Sequence, residues 1–512
     1  MAIDHQSSEQ RIAAASAPRA DRRTWLGLAV LTLPVMLVSM DVSVLYLAIP
    51  SITSALDPSA SEQLWILDIY GFLLAGLLIT MGNVGDRIGR RKILLAGAVV
   101  FGVASTMAAF APSAGVLIAA RALMGLGGAT LLPSSLSLIA NMFVHVRDRG
   151  LAIGIWTAVF AGGSAVGPVV GGVLMHHFWW GSVFLINVPV TIVLLFVGPR
   201  LVPEFRAGAS GPFDILGVVL SMAGILPMMY AIKTMASHGF SAGTALIGLT
   251  GLALLVSFLL HQKRTPHPLL DLSLFTNPMF SGSVAVALTG MMALGGMSYL
   301  TGVYLQSVLD KDVLAAAIAG LPMACAVAVF SVGAAKVAAV IGTRNAFVGS
   351  VVLTAVGMAG VLALGVGSPL WIYLVFTSIA GVGFGTQFSL VSEVVVGSVP
   401  PERSGAASSI SETCFELGTA LGLALLGSLA TLTFRAGSGG HEFGDTLGDT
   451  LRTADGLGSS GEALATAAKQ AFVDGMHVSA LTAALMLTAV AVVLTFVMRP
   501  GARAAVEEPV AS

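Results

Sequence analysis

The sequence predicts an all-α polytopic membrane protein with fourteen transmembrane helices, and three observations predict it. Of its 512 residues, 56% are hydrophobic and only 10% are charged, whereas soluble domains carry about 25% charge. Apolar runs of the roughly 20 residues that span hydrocarbon recur along nearly the whole chain. The basic residues separating those runs alternate in density from one loop to the next. Sixty glycines fit this class, because small residues let membrane helices approach closely.

Taken in order, the apolar runs give spans at about 25–50, 62–82, 92–112, 114–140, 149–175, 179–198 and 212–234. The remaining seven fall at about 242–262, 279–308, 313–338, 345–366, 369–396, 405–434 and 474–498. The tails and even-numbered loops hold most of the basic residues, including Arg22, Arg23, Arg87, Arg90, Arg91, Lys92, Arg147, Arg149, Lys263, Arg264, Arg344 and Arg403. The other loops hold only Lys233, Lys311, Arg435, Arg452 and Lys469. Cytoplasmic loops are the ones enriched in Lys and Arg, so this asymmetry puts both termini in the cytoplasm. Residues 1–24 and 499–512 are polar tails. The first apolar run is too long for a cleaved signal peptide. The stretch 435–473, rich in Gly, Ser, Asp and Thr, reads as a mobile external loop with a short helix at 462–472.

An internal repeat organises these spans. Val84-Gly85-Asp86-Arg87-Ile88-Gly89-Arg90-Arg91-Lys92 aligns with Val337-Ala338-Ala339-Val340-Ile341-Gly342-Thr343-Arg344-Asn345. Each copy lies between the second and third helices of a six-helix unit if the pair at 212–262 is an insertion. The second copy has lost its acid. The expected organisation is an N-terminal six-helix bundle at 25–198, two inserted helices within 199–268, and a C-terminal six-helix bundle at 269–498. Paired helical repeats of this kind are a transporter plan.

Five carboxylates fall inside these spans: Asp41, Asp68, Glu393, Glu412 and Glu416. An acid at a helix centre costs about 2.5–3.5 kcal/mol on insertion scales, so it marks an ion or substrate pathway by default. Arg121 is the one base deep in a predicted span. It needs a carboxylate or carbonyl partner, and Asp41 is the first candidate. Glu412 and Glu416 are four residues apart, one turn on one face. Two such acids in low dielectric do not both ionise, so the pair holds a proton. Either that pair is an exchange site, or Glu412 is simply hydrogen-bonded near the end of its helix. Asp68 belongs in the outer third of its span, and Glu393 near the inner end of its own. The excess of acid favours a lipophilic cation. Tyr46, Trp65, Tyr70 and Phe415 are the cavity aromatics that could offer ring faces to it.

Two motifs carry a family resemblance. In the 82–92 loop, Gly85 and Gly89 permit a tight turn. Asp86 can cap a helix or pair with a nearby Arg, while Arg90, Arg91 and Lys92 hold the loop at the membrane face. Gly163-Ser164-Ala165-Val166-Gly167-Pro168-Val169-Val170-Gly171-Gly172 gives the fifth span a small-faced, bent helix. The first pattern resembles the cytoplasmic-loop signature of the major facilitator superfamily, and the second its antiporter signature. Trp180, Phe184, Ile186, Asn187 and Pro189, with Met40-Asp41 to Pro50, resemble the fourteen-helix drug:proton antiporters. Trp65 to Tyr70 and Glu412 to Gly418 are most similar to exporters of quaternary ammonium compounds and methyl viologen. Tyr46 stands where that family usually has Asn, and Met124 where Gln is common.

The resemblance implies a major facilitator fold and residence in the bacterial cytoplasmic (inner) membrane. It implies proton-coupled export of lipophilic, mostly cationic compounds by alternating access. The alternative on the same fold is a narrow exporter of an endogenous metabolite or antibiotic. It also makes Gly85, Asp86, Arg87, Gly89, Arg90 and Arg91 a conformational latch. Gly163, Gly167, Pro168, Gly171 and Gly172 become the antiporter helix, and Arg121 becomes a proton-transfer residue unless its ion pair is static. The expected partners are the lipid bilayer, protons and small hydrophobic cations. No phosphate-binding GxxxxGK[ST] loop is present, so ATP is not expected. The net charge of −1 argues against nucleic acid. Cys325 and Cys414 lie in apolar runs, and His176-His177 lacks acidic neighbours, so no metal site, cofactor or enzyme activity is expected.

Overall fold

The computed structural model describes residues 18–206, 213–238, 241–400, 403–438, 443–444, 446–457 and 461–498. The first seven helices are α1 (Arg22–Leu56), α2 (Ala60–Ile88), α3 (Arg90–Ala109), α4 (Ala114–Met142), α5 (Val146–His177), α6 (Ser182–Leu185) and α7 (Asn187–Leu201). The inserted region supplies α8 (Ile215–His238) and α9 (Ala242–Arg264). Then come α10 (Pro278–Val303), α11 (Val313–Ile341), α12 (Thr343–Gly360), α13 (Leu370–Gly397), α14 (Ser404–Ala436), α15 (Leu447–Gly456) and α16 (Glu462–Val497). Among the described residues, thirteen helices are long and apolar enough to cross a membrane. A bent α5, turning 44° between Val146–Ser164 and Val169–His177, brings the count to fourteen.

Local chemistry sets the helix ends. Asp21 accepts from the Thr24 amide at 2.8 Å to start α1. Ser59 and Glu62 form a reciprocal capping box on α2. The α2–α3 and α11–α12 turns each need a residue with positive φ, and Gly89 (+124°) and Gly342 (+86°) supply it. These glycines align in the sequence repeat, so the repeat is carried by backbone geometry even where the acid is lost.

Two large apolar clusters form, one mainly from α1–α7 and one mainly from α10–α16. The helices α8 and α9 pack on each other. A third, small cluster joins Ile225 and Met229 of α8 to Phe72 and Ala75 of α2 and Ala420 of α14. The inserted pair therefore touches both bundles along one flank.

The sixth span holds as one apolar stretch, Ser182–Leu201, with a single turn residue, Ile186, between α6 and α7. The structure corrects one expectation. The stretch 435–473 is not an open loop carrying a separate helix at 462–472. Those residues are the first turns of the continuous α16, where Leu464, Ala468, Ala471 and Phe472 are buried. Before them, Thr446 caps α15 by accepting from the Asp449 amide at 3.2 Å. That helix buries Leu447, Thr450 and Ala454. Burial of one face offsets the ordering cost that the polar composition implied.

Candidate functional site

Helices α1, α2, α4 and α7 bring a charged cluster together in the first bundle. Asp41 (6% exposed) and Arg121 (1% exposed) form a buried ion pair through Oδ2 and Nη1. The guanidinium also donates from Nε to the Ile66 carbonyl at 3.3 Å. It lies over the Tyr70 ring, 4.6 Å from the centroid. Arg121 thus has the partner its burial demands, and a carbonyl besides. Asn187 lies against Asp41 and donates to Ser105 Oγ at 3.1 Å. The sixth-span motif alone assigns Asn187 no role; the packing of α7 on α1 brings it to Asp41.

Tyr70 is the junction between the bundles. Its hydroxyl is buried, has no hydrogen-bond partner among the described residues, and lies within electrostatic reach of Asp41, Arg121 and Glu416. Glu416 is half-buried on α14 and interacts electrostatically with Glu412 one turn away. Glu412 is 2% exposed, and its Oε1 has no hydrogen-bond partner among the described residues. Glu416 of the second bundle therefore approaches the ion pair of the first at Tyr70, with Glu412 one turn away from it.

The other expected site residues fall elsewhere. Asp68 is half-buried on α2, and two residues along a helix turn it well away from the Tyr70 direction. Trp65 is 37% exposed and stacks on Tyr230 of α8 at 6.1 Å. With Ile69, Phe72, Leu73, Leu226 and Pro227 these rings line a cavity of about 330 Å³ on the α2–α8 flank. Phe415 packs edge-on against Phe388 at 5.4 Å. The side chains of Tyr46 and Pro168 lie outside the described residues. Glu393 is half-buried on α13 beside Arg149 and Gly150 of α5.

The antiporter glycines form a ridge against α1. A Cβ built on Gly163 would lie 2.9 Å from the Met36 carbonyl oxygen, and one on Gly167 3.1 Å from that of Met40. Gly171 meets Val44 at 2.9 Å, while Gly172 is half-buried. These contacts press α5 onto the helix that carries Asp41.

At one end of the molecule residues 82–92 tie the bundles together; they are not the open loop expected but the last turns of α2 and the first of α3, with Gly89 alone between them. Asp86 takes both options the sequence left open. Its Oδ1 accepts from Arg90 Nε at 2.8 Å, and its Oδ2 accepts from the Ala406 amide at 3.1 Å. The helix it caps is α14 of the other bundle, where a carboxylate suits the positive helix N-terminus. Arg90 is consequently 2% exposed, a correction to its expected place at the membrane face. Gly82 lets Gly405 approach, since a Cβ there would meet the Gly405 carbonyl at 2.7 Å. Gly85 packs on Ile93, and a Cβ on Gly89 would strike the Glu204 carboxylate at 2.7 Å. Arg91 donates to the Val202 carbonyl at 3.0 Å, and Arg87 lies 5.3 Å from the Phe213 ring. Asn141 of α4 adds a 2.9 Å hydrogen bond to Ser404 Oγ.

The segment after α9 straps this end. Asn83 donates to the Leu269 carbonyl at 2.8 Å, and Asp271 pairs with Arg403, which precedes α14. Burial opposes ionisation of Asp271. Hydrogen bonds from Ser273 and the charge of Arg403 outweigh it, holding the carboxyl below its usual range. A depressed carboxylate contributes stability above its unfolded pKa and loses it as pH falls through the folded value. Amide protection around Leu270–Ser273, corrected for intrinsic exchange, is therefore expected to fall below about pH 4, and Asp271→Asn to remove that pH dependence.

Comparisons with known proteins identify the family. The sequence profile described as Major Facilitator Superfamily matches residues 31–423. The multidrug efflux pump LfrA of Mycolicibacterium smegmatis is 39% identical over 94% of this chain and 98% of its own length. The methyl viologen resistance protein SmvA of Salmonella typhimurium is 32% identical over 93% and 98%. The crystal structure of the human organic anion transporter MFSD10 shares the fold, with a TM-score of 0.60 at 14% identity over 91% of this chain and 99% of that one. The buried charges, the glycine ridge and the latch thus belong to a known architecture: the chain is a member of the major facilitator superfamily, in its fourteen-helix drug:proton antiporter family.

Proposed function

We propose that this protein exports lipophilic, mostly cationic compounds from the bacterial cytoplasm in exchange for protons, by rocking two helix bundles around a central site. The observation that carries this reading is the buried Asp41–Arg121 pair beneath Tyr70, whose hydroxyl has no hydrogen-bond partner among the described residues and lies within electrostatic reach of Glu416, with Glu412 one turn from that acid. A carboxylate that takes up a proton loses its hold on a cation, so one group can bind cargo and H⁺ only in turn. The gradient offers about 2.3 kcal/mol per charge per 100 mV and about 1.4 kcal/mol per pH unit. Asp41, Arg121, Glu412 and Glu416 are assigned to proton coupling and cation binding, with Asp68 on the route. The names of LfrA and SmvA support multidrug cargo of the viologen and quaternary ammonium kind. The basic loops support an inner-membrane protein with both termini cytoplasmic, which makes the 82–92 latch a cytoplasmic gate and the described conformation closed on that side.

The test is ethidium or quaternary ammonium transport in proteoliposomes under an imposed pH gradient. Wild-type protein is expected to move the dye and dissipate the gradient together. If Asp41→Asn and Glu416→Gln both leave that exchange intact, the assignment is wrong. Tyr70→Phe separates the ring from the hydroxyl. It keeps the stacking on Arg121 and removes an unsatisfied buried polar group, so stability rises by about 1 kcal/mol while proton exchange slows. Thermal melting in detergent and pH-dye quenching measure the two effects.

A further inference from the structure

The repeat register that aligns Gly89 with Gly342 also aligns Gly82 with Ala335 and Asp86 with Ala339. Both of the first pair sit at a crossing of the two bundles. Gly82 of α2 meets Gly405 of α14, and Ala335 of α11 lies 2.6 Å from where a Cβ on Gly150 of α5 would stand. At the first crossing the Asp86 carboxylate lies against Gly405, 2.2 Å from that residue's Cβ position. At the second the equivalent residue, Ala339 of α11, carries no acid, yet a carboxylate is still there. Both oxygens of Glu393, arriving from α13, lie 3.3 and 3.4 Å from the Cβ position of Gly150.

The partner charge is also in place. Arg149 precedes Gly150 and interacts electrostatically with Glu393. Its Nη2 lies 3.9 Å from the Cβ position of Gly397, the last residue of α13. A guanidinium at a helix C-terminus is favoured by the helix dipole, and the Arg149 Nε is buried with no hydrogen-bond partner among the described residues. Arg149 thus addresses both the negative end of α13 and the acid one turn before that end.

We propose that Glu393 and Arg149 form a second latch, the two-fold counterpart of Asp86 on α14, with its acid moved from the end of α11 to α13. Glu393 is then a positioning residue of the gate and not a proton-coupling site. This rests on the alternating-access reading, and it makes the closed end a lock with two symmetric halves.

The test is a spin-label distance between Val144→Cys and Val340→Cys, two exposed positions at this end, with Cys325 and Cys414 replaced by alanine. Glu393→Gln and Arg149→Gln are each expected to lower the closed-to-open ratio by about threefold to tenfold. The exchange Glu393→Arg with Arg149→Glu is expected to restore at least half of the loss. If Glu393→Gln stops proton movement without moving the distance distribution, or if the charge exchange restores nothing, the second latch is wrong. A wild type whose distance never responds to pH or to added dye would overturn the alternating-access reading itself, a separate result.

Discussion

Replacing Arg121 by leucine is expected to abolish dye export and to destabilise the protein by about 3–5 kcal/mol, the usual cost of stranding one partner of a buried pair. The structure gives Asp41 a 6%-exposed position and assigns its Oδ2 to Arg121, so the leucine variant leaves a carboxylate in hydrocarbon. Lysine is not a conservative substitute. One ammonium cannot serve Asp41, reach the Ile66 carbonyl and lie flat on Tyr70, as the guanidinium does. Arg121→Lys is expected to fold yet transport poorly. The double variant Asp41→Asn/Arg121→Gln removes both charges and is expected to recover most of the stability and none of the proton coupling. If it recovered coupling as well, the pair would be a structural strut. Melting temperature and proteoliposome exchange, measured on the same preparations, separate these outcomes.

The second large effect is steric. Gly154 of α5 faces the backbone of α11, where an added Cβ would lie 2.4 Å from the Ser331 carbonyl oxygen and 2.9 Å from the Val332 Cα. Backbone on both sides cannot yield, so Gly154→Val forces the two bundles apart at this crossing. Overpacking of this sort costs about 1–3 kcal/mol. The cost falls only on the conformation in which the bundles meet, so a population shift of about 5–150-fold follows. Efflux is expected to drop by at least about tenfold, and the Val144–Val340 label distance to lengthen. Gly162→Val on the same helix meets nothing within 4 Å and serves as the control. A Gly154→Val protein with wild-type distances would show that the crossing is looser than the contact implies.

The spans were legible because hydrocarbon imposes a length and a composition that survive in any sequence. The Asp41–Arg121 pairing was legible for a related reason: a lone base buried at such cost needs an acid, and few acids were available. What escaped depends on neighbours far away in the chain. Asn187 has Asp41 as a neighbour only because α7 packs on α1. Arg149 reads from sequence as one more basic loop residue, and only the α5–α13 crossing gives it Glu393 as a neighbour. The turn of Leu447–Gly456 was hidden because its helical face is held by burial against α16, not by its own composition. Trp65 is legible as a cavity ring, but only the packing of α8 on α2 gives that cavity its other wall, with Tyr230 stacked on Trp65.

That last placement has a mechanical consequence. Because Ile225 and Met229 rest on α2 and α14 at once, a swing of one bundle past the other must slide along α8, which behaves as a bearing surface between two moving parts. The lipid annulus beside α8 and α9 then sets friction on the stroke. Acyl-chain length and fluidity on that flank will tune turnover without any change in affinity for cargo.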